Sequence, residues 1–253
     1  TVAGDDVINL AEHSQAHIIS GTATGAAAGD KVTVTIGGQT YTTVLDAAGN
    51  WSVGVPASVI FGLSDGSVTV TASVTDAAGN TGTGTHNVTV DTGLPSVSFN
   101  AISDDNVLNA VEKGQDLSVS GTSANLAEGT VVTVTLNGKN YTATTAADGT
   151  WSLTVPAADL AGLGQANYTL NATATNGVGN SVSNTANLLV DTALPTVTIN
   201  TVAGDNVINA AEVAAGQTLS GKVTNAEAGN TVTVTIGGNT YTATVQSDLT
   251  WSV

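Results

Sequence analysis

The chain has 253 residues, with 20 acidic side chains against four lysines, no arginine and a formal net charge of −16. Binding to nucleic acid or to an anionic membrane surface needs Lys or Arg to neutralise phosphates, so both are excluded as partners; the acidic excess favours divalent cations and keeps a long chain soluble. Cysteine is absent, so stability has to come from a core, from metal or from neighbouring domains rather than from disulfides.

Methionine is also absent, even at position 1, so an internal fragment of a longer chain is expected. No signal peptide and no apolar run of bilayer length is present, and direct membrane insertion is not expected. The richness in Thr, Val, Gly, Asn and Ala suits exposed β-structure with many turns.

Landmarks return every 100 residues: Trp51, Trp151 and Trp251; Tyr41, Tyr141 and Tyr241; Gly21, Gly121 and Gly221; Glu12, Glu112 and Glu212. That period is too long for a solenoid unit of roughly 20 to 45 residues and matches one small domain. Three units are therefore expected: residues 1–93, lacking the first strand; residues 94–193, complete; and residues 194–253, lacking the strands that correspond to Asn167–Val190.

The middle unit shows the elements in order. Ser96–Asn100 alternates polar and apolar residues, as a short strand does. An acidic loop follows, and Leu117–Gly121 alternates again. Val131–Leu136 and Asn140–Thr145 flank Asn137-Gly138, a type I′ hairpin signal; Gly37-Gly38 and Gly237-Gly238 stand there in the outer units. Asp148-Gly149 turns the chain into Trp151–Val155. Pro156–Leu160 predicts a short helical turn with Pro at its start. Tyr168–Thr175, the turn Asn176–Asn180 and Ser181–Val190 complete the unit. About seven short strands at this spacing predict an all-β chain of tandem immunoglobulin-like β-sandwiches without the antibody disulfide. Trp151 and Tyr141 are the largest core candidates.

Carboxylates crowd into the loop while the strands are nearly uncharged. Asp5, Val7, Asn9 and Glu12 stand at the spacing of positions 5, 7, 9 and 12 of an EF-hand loop, with Asp6 beside them. Positions 1 and 3 carry no carboxylate, so further ligands have to come from elsewhere. The second unit offers Asp104, Asp105, Asn109 and Glu112, and the third Asp205, Asn209 and Glu212. Hard oxygen donors in this number suit Ca²⁺, whereas zinc would want Cys or His, and the three histidines do not repeat. The competing explanation is an Asp/Asn turn that caps a short helix, with Glu in its first turn.

The connector Val90-Asp91-Thr92-Gly93-Leu94-Pro95 returns as Val190-Asp191-Thr192-Ala193-Leu194-Pro195. If the first strand runs the length of the domain, Asp91 lies beside the acidic loop of the unit it leaves, and Asp191 beside Asp105 and Glu112. The next unit then presents Asp148 or Asp248. If the first strand is short, Asp91 pairs with Asp105 and Glu112 instead. The first arrangement makes an interdomain calcium site and is the one expected; the sequence alone does not decide between them. The turns Asp46–Asn50 and Asp76–Asn80 are Asp/Asn-Gly turns, and their metal role weakens where Ala146 and Asn176 replace the aspartates. No enzyme is expected: no Ser-His-Asp or Cys-His arrangement recurs, and the carboxylates lack an aromatic wall to raise a pKa.

Together the Val-Asp-Thr-x-x-Pro connector, the Gly-Asp-Asp/Asn-Val-Ile-Asn-x-x-Glu loop, the Gly-x-x-Tyr-Thr hairpin and the Trp-Ser-Val strand resemble the bacterial Ig-like repeats of giant non-fimbrial adhesins. These are biofilm-associated, type I-secreted surface proteins of Gram-negative bacteria. The resemblance covers the whole chain. It implies a rod of tandem domains, calcium near the junctions, neighbouring repeats as partners, and an extracellular location at the bacterial surface. Host-cell or matrix glycans would be met by another part of the parent protein. Ser103-Asp104, in place of Ala-Gly, and Asn176 depart from the pattern. A carbohydrate-binding module is the alternative, favoured if the repeated tryptophans line a groove rather than a core.

Overall fold

The computed structural model describes residues 1–253. The strands of the first unit are β1 (Val7–Asn9), β2 (His17–Thr22), β3 (Lys31–Ile36), β4 (Gln39–Val44), β5 (Asn50–Val55), β6 (Gly66–Thr75) and β7 (Thr81–Asp91), with helix α1 (Ala57–Ile60) after β5. The second unit contains β8 (Ser96–Phe99), β9 (Val107–Leu108), β10 (Leu117–Ala124), β11 (Val131–Leu136), β12 (Lys139–Thr144), β13 (Thr150–Val155), α2 (Ala157–Leu160), β14 (Ala166–Thr175) and β15 (Ser181–Val190). The third has β16 (Thr196–Val197), α3 (Ala210–Ala215), β17 (Ser220–Thr224), β18 (Thr231–Ile236), β19 (Asn239–Thr244) and β20 (Thr250–Ser252).

Each unit is a sandwich, and the second shows it whole. A sheet ordered β12-β11-β14-β15-β9 faces a smaller one ordered β13-β10-β8. Period-two alternation decides the faces: Val132, Val134 and Leu136 are buried, while the threonines between them face outward. The β11–β12 hairpin turns at Asn137 and Gly138, with φ of 48° and 78°. Both values are positive, as a type I′ turn requires. Trp151 is 2% exposed and meets Phe99 edge to face at 5.5 Å, so the repeated tryptophan is core in this unit.

One element was not legible. The acidic loop contains a strand: β1 and β9 pair in parallel with β7 and β15. Two or three residues between Asp/Asn turns carry no alternation to detect, and their partners lie about 80 residues away. In the third unit Val207-Ile208 forms no strand, and α3 stands where the 3₁₀ turns Glu12–Ser14 and Glu112–Gly114 stand in the others. No counterpart of β15 is present there to pair with Val207-Ile208, and Ala210–Ala215 is alanine-rich, which favours helix. The outer units also differ in their cores. The second has 19 buried apolar residues in one cluster, the first 13 and the third 6, which ranks them by how many strands each holds.

Candidate metal centre at the unit junction

The acidic loop is built from local hydrogen bonds. Asn9 Oδ1 accepts from the backbone N–H groups of Ala11 and Glu12 at 3.0 and 3.1 Å, and Glu12 Oε2 accepts from Asn9 N at 3.1 Å. That reciprocal pair is a capping box. It recurs at Asn109 and Glu112 and at Asn209 and Glu212. The 3₁₀ turns Glu12–Ser14 and Glu112–Gly114 follow it in the first two units, and α3 follows it in the third. Asp5, Asp105 and Asp205 each accept from the N–H two residues on, at 2.8 to 3.0 Å, which are Asx turns.

Asp6 sits at φ 67° and accepts from Val2 N at 2.7 Å; Asn106 and Asn206 hold the same turn onto Ile102 and Val202. The position therefore needs an acceptor in a left-handed conformation rather than a charge. Asp6 Oδ1 also lies 2.8 Å from His86 Nε2, within hydrogen-bond distance. The Val2 N–H first, and His86 second, hold its carboxyl below the ordinary value. Asp104 is exposed with φ 63°.

The parallel β1–β7 pairing sets Asn9 opposite Asp91. In the second unit Asp191 N donates to Leu108 O at 3.1 Å. Each linker aspartate thus lies next to the acidic loop of the unit it leaves. Asp91 Oδ1 accepts from Gly93 N, and Asp191 Oδ1 from Ala193 N, both at 3.0 Å.

The second unit approaches this pole through a different loop from the expected one. Asp148 and Asp248 turn back on their own chains, accepting from the N–H and hydroxyl of Thr150 and Thr250. These bonds, the hydroxyl first, lower both carboxyls. The contact is made by the turn Asn176–Asn180. Asn180 is only 3% exposed. Its Nδ2 donates to the carbonyls of Asp91 and Gly93 at 2.9 and 3.2 Å, and its Oδ1 accepts from Leu10 N at 2.8 Å. Asn176 Nδ2 reaches Gly93 O at 3.4 Å. The signal available in the sequence was the recurrence of the pair: Asp76 and Asn80 form the same turn in the first unit. Asp65 is a second linker contact without a sequence signal, its Oδ1 accepting from both the N–H and hydroxyl of Thr92 at 2.9 Å.

The chemistry of the pole is that of hard oxygen donors, which suits Ca²⁺. Glu12 Oε1 and Asp91 Oδ2 carry no hydrogen bond. No three His, Asp or Glu side chains converge in this arrangement as a ready-made metal site.

A family profile described as bacterial Ig-like domain matches residues 9–92 and 99–192. The chain belongs to this family. It is similar to repeat domains of large bacterial adhesins. One is the Ca²⁺-stabilized adhesin with which an Antarctic bacterium reaches out and binds ice: 42% identity, 100% of this chain, 65% of that one, TM-score 0.52. Another is a 1.5-MDa bacterial ice-binding adhesin studied for its retention on the host cell surface: 36% identity, 100% of this chain, 83% of that one, TM-score 0.51. The chain thus spans 65% of the length of the first of these structures. No curated protein matches it. Ig-like repeats of such adhesins are structural rather than catalytic. No helix here is long and apolar enough to cross a membrane.

Proposed function

We propose that the chain is a stalk segment of a large adhesin at the bacterial cell surface, stiffened by calcium at its junctions and used for surface attachment and biofilm formation. The observation that supports it best is the junction itself. A parallel strand pair puts Asn9 and Asp91 at one pole, and a buried asparagine of the next unit closes on that pole with three hydrogen bonds. A spacer has to hold its units at a set angle, and this junction is built to do so.

Calcium would draw on Glu12, Asp5, Asp6 and Asn9 with Asp91 at the first junction. At the second it would draw on Asp104, Asp105, Asn109 and Glu112 with Asp191; the third unit's loop, with Asp205, Asn209 and Glu212, would serve a further junction. Asp148 and Asp248 are candidates only if their turns open. The ion's contribution is charge: it would remove the repulsion among carboxylates that a net charge of −16 imposes. Export by a type I system into calcium-rich surroundings would then favour folding outside the cell. The buried Trp151 and Trp251 weigh against a glycan-binding groove shared by the repeats.

Small-angle scattering in calcium and in EDTA tests the stiffening. The maximum dimension should be larger and the flexibility smaller in calcium. Identical curves in the two buffers would remove calcium from the proposal.

A further inference from the structure

The sequence holds two Asn-Gly steps, Asn137-Gly138 and Asn176-Gly177, and both lie in the second unit. Such a step has a chemistry of its own. The backbone nitrogen that follows an asparagine can attack the side-chain carbonyl carbon, and glycine offers no side chain to hinder the approach. Gly138 and Gly177 lie in turns between strands, and neither N–H is held by a backbone carbonyl. A Cβ on either would meet nothing within 4 Å, so both places are sterically open.

The two asparagines are held differently. Asn137 is exposed at the tip of the β11–β12 hairpin, and its side-chain amide makes no hydrogen bond. Gly37 and Gly237 stand there in the outer units, so the hairpin does not need that amide. Asn176 is half-buried. Its Oδ1 accepts from Val178 N at 3.2 Å and from Asn180 N at 2.9 Å, and its Nδ2 points to Gly93 O across the junction at 3.4 Å. Asn180, in the same turn, is fixed to the first unit by its own three bonds. Bringing the Asn176 side chain onto Gly177 N means breaking the bonds that hold it.

We propose that Asn137 is a site of spontaneous deamidation and that Asn176 is a second one, guarded by the closed junction. In the reaction the glycine nitrogen loses its proton to solvent base and bonds to the asparagine Cγ. The Cγ–Nδ2 bond breaks, and that nitrogen takes up a proton and leaves as ammonia. Water then opens the cyclic imide at one of its carbonyls, which gives aspartate or isoaspartate. An amide and a water become an acid and an ammonia, and nothing is oxidised or reduced.

The consequences differ between the sites. At position 137 an isoaspartate lengthens the backbone of a two-residue turn and loosens the end of the hairpin. At position 176 the turn itself tolerates a carboxylate, since Asp76 forms the same turn in the first unit. What changes is the contact across the junction: a carboxylate oxygen would face Gly93 O where an N–H points now. A junction modified in this way reopens more readily, so position 176 keeps a one-way chemical record of unit separation.

Incubating the full chain in mildly alkaline buffer and following its peptides by mass spectrometry tests this. Position 137 should convert first, and position 176 should lag by about tenfold or more, because a guarded group reacts only from its opened form. Asn180→Ala should bring position 176 up toward the rate at 137 and leave 137 unchanged, which also shows that the unit stays folded. Gly177→Ala, at a position without positive φ, should slow position 176 again in the Asn180→Ala chain, as attack by the following nitrogen requires. An Asn137 that stays intact while the free peptide Thr135–Tyr141 converts overturns the proposal. So does equal conversion at 137 and 176 in the unaltered chain, or a rate at 176 that Asn180→Ala leaves as it was.

Discussion

Asn180 shows how much one buried amide can hold. Its two donors and its acceptor are all used across the unit boundary. Alanine there would take this partner from the Asp91 carbonyl and the Leu10 N–H, and leave Gly93 O with only Asn176 Nδ2 at 3.4 Å. Losing a buried hydrogen-bond partner costs about 1–3 kcal/mol, and here the loss falls on the junction rather than on the core of either unit. Asn180→Ala should therefore leave the thermal transition of the second unit nearly in place and speed proteolytic cleavage within 91–95. Trp151 marks the opposite case. Trp151→Ala should cost about 3–5 kcal/mol in urea unfolding, and Trp51→Ala distinctly less, because the Trp51 ring is already partly in water.

Acid should act through individual carboxylates. Asp46 and Asp76 are lowered by hydrogen bonds from Asn50 and Asn80, Asp148 and Asp248 by Thr150 and Thr250, and Asp159 by Lys139 and then Tyr141. A group whose folded pKa is depressed contributes stability that is fully present above its ordinary value, 3.8 for these. It is lost as the pH falls through the folded value. Stability should thus be flat with pH from neutrality down to about 4 and decline below it. Circular dichroism against pH would show this, and Asp46→Asn with Asp76→Asn should make the acid limb shallower. Tyr141 behaves in the opposite sense. Burial first, and Asp159 second, push it up to about 12, so its stabilising effect is complete below 10 and fades above. Absorbance titration should show one tyrosine ionising later than the others.

At the scale of elements, most strands were legible because alternation and turn chemistry act locally. Asn137-Gly138 is the clearest instance. A Cβ on Gly138 meets nothing within 4 Å, while φ is 78°. Gly138→Ala should therefore cost about 1–2 kcal/mol from backbone conformation alone, readable in urea unfolding. What stayed illegible was the pairing of short segments with distant partners. β1 and β9 look like loop in any window of residues, and only β7 and β15 make them strands. The same dependence explains why one repeated motif became a 3₁₀ turn twice and a helix once.

For the molecule as a whole, the spacing of landmarks predicted units, and the buried apolar residues fall into three clusters, of 19, 13 and 6 residues. Glu12→Gln with Asp91→Asn should remove the calcium response of the first junction while sparing the second, as two-state fits of scattering or interdomain distances would show. If the double variant still stiffens fully in calcium, the ligands are other residues.

The sequence by itself determined the repeat, the strand alternation, the hairpin turns and the crowding of carboxylates near each linker. All of these are recorded in neighbouring residues or in a strict period. The tertiary structure alone decided that Asp91 stands beside Asn9 and that Asn180 closes the junction where Asp148 was expected. These outcomes depend on which distant segments are brought to one pole, and a linear spacing does not record that.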